Sequence, residues 1–113
     1  MIQIEHRIEN GILMVSFDGR LDASSSDATT ETLGNLLAGK PSGVILDLGR
    51  LTYCSSAGLR VLLLLVKRCR ADGSKLAIHS LDSGVRQVIE LSGLSNTFPL
   101  FQDQAASQAA LKS

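Results

Sequence analysis

Three observations predict an α/β fold with a mostly parallel central sheet. Two alternating apolar segments flank Asn10-Gly11, short apolar runs recur at residues 43–48 and 75–79, and stretches with helical spacing separate the later runs. The resulting order is ββαβαβαβα, with right-handed crossovers, flanking helices and the first hairpin as an antiparallel edge. At 113 residues the chain reads as one domain, 1–113. A domain of this size buries roughly two-thirds of the surface its unfolded chain exposes, so one core suffices without staples or metals.

Each element follows from local chemistry. Ile2, Ile4 and Ile8 alternate with polar residues, and Leu13, Val15 and Phe17 resume the alternation after Asn10-Gly11. Asn-Gly suits a two-residue hairpin turn because both central residues need positive φ. The second strand is expected to end near Phe17, with Gly19 marking its exit. Ser24 to Ala38 reads as a helix despite its serines and threonines. Leu33, Leu36 and Leu37 have helical spacing, Gly39 and Pro41 supply a stop, and Asp22 or a nearby serine supplies the cap. Gly43 to Leu48 is a short apolar run bounded by turn residues, the pattern of a strand covered on both faces. Leu59 to about Ala71 is a strong helical stretch ended by Asp72-Gly73. Lys75 to His79 is a strand, Ser83 to Leu91 a helix stopped near Gly93, Phe98 to Phe101 a short strand, and Asp103 to Leu111 a terminal helix.

Composition narrows the function. Eleven basic residues balance eleven acidic ones, which argues against direct nucleic-acid binding, since that affinity comes mainly from basic surface displacing phosphate counterions. The start of the chain lacks a secretory signal, and the apolar run at 61–66 falls far short of the roughly 20 residues that span a bilayer. A cytoplasmic protein without membrane contact is expected. Cys54 and Cys69, assisted only by His6 and His79, match no zinc spacing and read as reduced thiols. No metal, cofactor or catalytic residue is expected. Ser56 lies in S-S-A-G-L rather than G-x-S-x-G, His79 at a strand end reads as a surface or packing residue, and Gly39-Lys40 lacks a phosphate-binding loop.

In open α/β sheets ligands and partners meet the loops beyond the carboxyl ends of the strands. The loop after the 43–48 strand holds Ser55-Ser56. Projecting the next helix at about 100° per residue places Leu59, Leu62, Leu63, Val66 and Cys69 on one arc and Arg60, Lys67 and Ser56 on another. Val61 and Leu64 project away from the core arc and are expected to be exposed. Ser55 or Ser56 can be a helix cap. Equally, a hydroxyl in the first turn suits phosphorylation, because the unpaired amides and the positive end of the helix dipole tolerate added negative charge.

The segments GRLDASSS, VILDLGRLTYCSSAGLRVLL and LDSGVRQVIELSGLSNTFPLF resemble STAS domains of the anti-sigma factor antagonist type over nearly the whole chain. The resemblance implies the STAS fold and a partner switch. The unphosphorylated protein binds an anti-sigma factor that is itself a serine kinase with a histidine-kinase-like ATPase fold, and so releases the sigma factor. Phosphorylation at the position of Ser56 switches binding off, and a PP2C-type phosphatase restores it. Asp22 then sits beside the phosphoacceptor, and partner contact is expected at Asp22, Ser55, Ser56, Gly58, Leu59, Arg60, Leu64 and Lys67. Gly58, without a side chain, would let a partner approach the helix start. Ser55 stands where many members carry aspartate, and Ala57 where some carry Ser or Thr. Two other functions fit the same fold: the regulatory subunit of an ABC-type lipid transporter, and a partner switch controlling a target other than a sigma factor.

Overall fold

The computed structural model describes residues 2–112. Strands β1 (Ile2–Glu9) and β2 (Ile12–Leu21) form the hairpin, followed by α1 (Ser26–Leu37), β3 (Gly43–Cys54), α2 (Ser56–Asp72), β4 (Lys75–His79), α3 (Ser83–Leu91), β5 (Leu100–Phe101) and α4 (Gln104–Lys112). The order is the one the sequence predicts. The sheet runs β1-β2-β3-β4-β5, antiparallel only between β1 and β2. Asn10 and Gly11 take φ of 53° and 79°, the double positive φ that a two-residue hairpin turn requires.

The sheet has two unequal faces. Leu13, Val15, Phe17, Val44, Leu46, Leu48 and Ile78 point into the main core, where α1, α2 and α3 contribute Leu33, Leu37, Leu62, Val66, Val85 and Ile89. Because side chains alternate along a strand, Met14, Ile45 and Ala77 face the other way. The single helix α4 lies against β3 and β4 on that side, with Leu111 beside Met14 and Ile45. Helix ends are closed locally: Asp82 accepts the Val85 amide at the start of α3, and Gly73, left-handed at φ 72°, ends α2 by donating its amide to Arg70.

Two strands are longer than their hydrophobic patterns. β2 continues past Phe17 to Leu21 because register shifts after Ser16 and Gly19 restart the pairing, so Gly19, at φ 117°, lies within the strand rather than at its exit. β3 continues past Leu48 to Cys54, pairing Asp18 with Arg50 and Leu21 with Cys54. The polar interruption Gly49-Arg50 hid this extension in the sequence. Helix α1 starts at Ser26, and α2 begins at Ser56 rather than Leu59.

Candidate functional site

The two extended strands run out together. Leu21 pairs with Cys54, and the Ser55 amide donates to the Leu21 carbonyl at 3.0 Å. Asp22 and Ser55-Ser56 therefore leave neighbouring parallel strands at the carboxyl edge of the sheet, the place where such sheets meet ligands and partners. Close apposition of α2 to these strand ends requires Gly58. A Cβ there would collide with the Leu21 carbonyl oxygen and lie 2.9 Å from Leu21 Cγ and 3.0 Å from Cys54 Sγ.

The neighbouring serines do different work. Ser55 is half-buried and caps α2, its hydroxyl accepting the Gly58 amide at 3.3 Å. Ser56, the first residue of α2, is exposed, and its hydroxyl makes no hydrogen bond among the described residues. Across the gap, Asp22 accepts from the Ser24 hydroxyl at 2.6 Å and the Ser24 amide at 3.0 Å. Those hydrogen bonds, led by the Ser24 hydroxyl, hold its carboxyl below the usual aspartate value, and Arg20 adds to the shift from 3.7 Å. Ser25 is buried and ties the turn, accepting the Asp22 amide and donating to the Arg20 carbonyl. It stands at the start of α1 without making a side-chain cap bond there. The Arg20 guanidinium lies over the Tyr53 ring, 4.2 Å from its centroid. Arg20 and Tyr53 escaped the sequence reading because they become neighbours only through the extended β2–β3 pairing.

Ser56, Arg60, Leu64 and Lys67 are all exposed on α2, Leu64 to 47%. Burial bears on three of the expectations. Gly58 is buried and its missing side chain serves the packing of α2 on the strand ends. Leu59 is buried in the core. Val61 is 3% exposed rather than open to solvent, because α1 packs against the flank of α2 and covers it together with Leu65. Leu64 alone of the two projected outliers stays outside, bordering a shallow apolar groove with Leu33, Leu37, Val61 and Leu65.

Both cysteines are free and buried, and burial pushes each thiol up to about 11, which keeps them protonated and poorly nucleophilic. His79 is also buried, but on the α4 face, so the sheet separates it from α2. Among the described residues no cluster of His, Cys, Asp or Glu is placed to hold a metal, and no helix is long and apolar enough to cross a membrane.

The fold and the site define a small α/β domain that displays an uncommitted hydroxyl at a helix start, with a hydrogen-bonded carboxylate leaving the neighbouring strand. The chain belongs to the STAS domain family, whose sequence pattern matches residues 3–106. BtrV of Bordetella bronchiseptica, which carries an anti-sigma factor antagonist name, is 36% identical over 103 residues, covering 91% of this chain and 89% of BtrV. In structure the chain resembles an anti-sigma factor antagonist from Mycobacterium paratuberculosis, with TM-score 0.88 and 23% identity over 100% of this chain and 96% of that one. SpoIIAA superposes in two states. Its unphosphorylated form gives TM-score 0.75 at 18% identity, covering 94% of this chain and 92% of SpoIIAA. The phosphorylated form from Bacillus gives TM-score 0.71 at 17% identity, covering 99% and 97%.

Proposed function

We propose that this chain is an anti-sigma factor antagonist whose exposed α2 face binds an anti-sigma factor serine kinase, and that phosphate on Ser56 switches the binding off. The observation that carries the reading is the division of labour at the start of α2. Ser55 spends its hydroxyl on the helix cap, whereas Ser56 is exposed and its hydroxyl has no structural partner among the described residues. A kinase can modify Ser56 without breaking a bond that holds the fold. The antagonist names of the relatives and the existence of SpoIIAA in both phosphorylation states support the same function.

The docking surface is Ser56, Arg60, Leu64 and Lys67 on α2, extended across the strand ends by Asp22, Arg20 and Tyr53. Phosphorylation adds roughly 1.5–2 negative charges beside Asp22, whose carboxyl is already held ionised. Like charges forced together in a partner interface cost several kcal/mol, and each 1.4 kcal/mol is about tenfold in affinity. A PP2C-type phosphatase restores binding by removing the charge.

Capture on immobilised wild type and Ser56→Asp from cytoplasm and from solubilised membranes, with mass spectrometry of partners and bait, tests the assignment. A serine kinase held by wild type and lost by Ser56→Asp, with phosphate on Ser56 of the wild type, is the expected outcome. An ABC-type ATPase retained equally by both would replace this reading with the transporter-subunit one.

A further inference from the structure

Strand β1 forms the outer edge of the sheet. Among the described residues it pairs with β2, and its other side meets no strand. Unpaired amides and carbonyls along such an edge invite another strand, and proteins commonly blunt them with proline, a bulge or charged side chains, lysine above all. The β1 sequence IQIEHRIE holds no proline or lysine, and its register with β2 runs from Ile2 to Glu9 without a shift. Gln3 and residues 5–9 are exposed, Ile8 to 68%. The charges of Glu5, Arg7 and Glu9 therefore decide what can pair there.

The hairpin fixes which backbone groups are free. Glu9 and Ile12 flank the two-residue turn and exchange hydrogen bonds across it. Antiparallel pairs alternate between bonded and non-bonded, so the amides and carbonyls of Gln3, Glu5, Arg7 and Glu9 point toward β2 and those of Ile4, His6 and Ile8 point to the open edge. An antiparallel partner strand must engage these even positions. A second β1 can do so in registers centred on Glu5, His6 or Arg7. Centring on Glu5 opposes Glu5 to itself; centring on Arg7 opposes Arg7 to itself and Glu5 to Glu9. Centring on His6 places Glu5 of each copy opposite Arg7 of the other, and Ile4 opposite Ile8. Opposite charges and β-branched pairs directly across a strand pair are both favourable. Arg7 already lies 3.1 Å from Glu9 on its own strand, so the acidic and basic groups alternate along and across the joint. Ile8 pairs with Leu13 and so faces the core side of the sheet, where Ile4 of the second copy would cover it.

We infer that the chain self-associates by antiparallel pairing of β1 with β1 of a second copy, centred on His6. Ile4 and Ile8, and His6 with its counterpart, exchange the backbone hydrogen bonds, and the sheets of the two copies become continuous. The two-fold axis stands normal to the sheet, so both helical layers stay on one side. Because β2 and β3 then run in opposite directions in the two copies, the carboxyl edges point to opposite ends and Ser56 remains uncovered in each. A single strand pair makes a small interface of the transient class, so monomer and dimer exchange. The contact uses neither phosphate nor a kinase and stands or falls independently of the proposed switch.

The test is sedimentation of the full chain over a series from micromolar to near-millimolar protein, with amide hydrogen exchange at the two ends of the series. A reversible monomer–dimer equilibrium is expected, with protection rising at the amides of Ile4, His6 and Ile8 as protein concentration rises. His6→Pro removes an amide that points away from β2, a position where an edge strand tolerates proline, and should abolish the dimer while the monomer stays folded by circular dichroism. Glu5→Arg sets its new arginine against Arg7 of the second copy, and Arg7→Glu sets its new glutamate against Glu5; each alone should weaken dimerisation at least tenfold. An equimolar mixture of these two variants meets opposite charge at both positions and should dimerise again, which serves if His6→Pro fails to fold. A monomer throughout the series, a dimer that survives in folded His6→Pro, or a mixture no more associated than its components would overturn the inference.

Discussion

The closest contest at residue scale is between Ser55 and Ser56, adjacent hydroxyls at one helix start. Ser55 satisfies an α2 amide that has no helical partner, so Ser55→Ala should lower stability by about 1 kcal/mol, as lost serine caps commonly do. Ser56→Ala removes an exposed hydroxyl with no intramolecular bond among the described residues and should stay within about 0.5 kcal/mol of wild type. Urea unfolding of the two variants measures the difference; equal losses would mean that both hydroxyls support the helix. The sequence could narrow the site to this pair but not divide it, since either serine can cap a helix and the choice depends on where α2 begins. Gly58 was legible as important, but its packing role was not. Its neighbours Leu21 and Cys54 come from two different strands, and their proximity depends on a register that composition does not carry.

At the scale of elements, the order of strands and helices was legible because each has a strong local signature: alternation in the hairpin, a short apolar run in β3, helical spacing in α2. Element ends were not, because tertiary pairing extends β2 and β3 through polar residues that a hydrophobic pattern passes over. Helix α2 shows the same limit on its faces. A projection with a single core arc assumes one packing partner, but α2 packs on the sheet with one flank and on α1 with another, so Val61 and Leu65 are buried as well as Leu62. Leu64 falls outside both contacts. Leu62→Ala should therefore cost about 2–5 kcal/mol, the usual range for deleting a fully buried leucine side chain, while Leu64→Ser should change stability by no more than about 0.5 kcal/mol. Thermal or urea unfolding checks the pair. Leu64→Ser should then weaken capture of the proposed kinase partner while the chain remains folded; unchanged capture would remove Leu64 from the proposed docking face.

For the whole molecule, the decisive relation is that the proposed switch sits at the rim of the structure and the core lies elsewhere. Phosphate on Ser56 would meet two opposing local effects. At the first position of α2 it faces the positive end of the helix, an interaction worth roughly 0.3–1 kcal/mol at an exposed site. Across the strand ends it faces the Asp22 carboxylate, itself accompanied by Arg20 at 3.7 Å; Arg60, one turn along α2, adds a second cation. None of these groups belongs to the hydrophobic core. The net effect on folding should therefore be small, within about 1 kcal/mol, while a partner brought against the same surface meets the full added charge. Stoichiometrically phosphorylated protein should unfold at nearly the wild-type urea concentration, with amide shift changes confined to residues 20–25 and 53–60 and affinity for the proposed kinase partner reduced at least tenfold. A stability loss of several kcal/mol, or shift changes spreading through β4 to α4, would mean that the modification acts by rearranging the fold rather than by charging its edge.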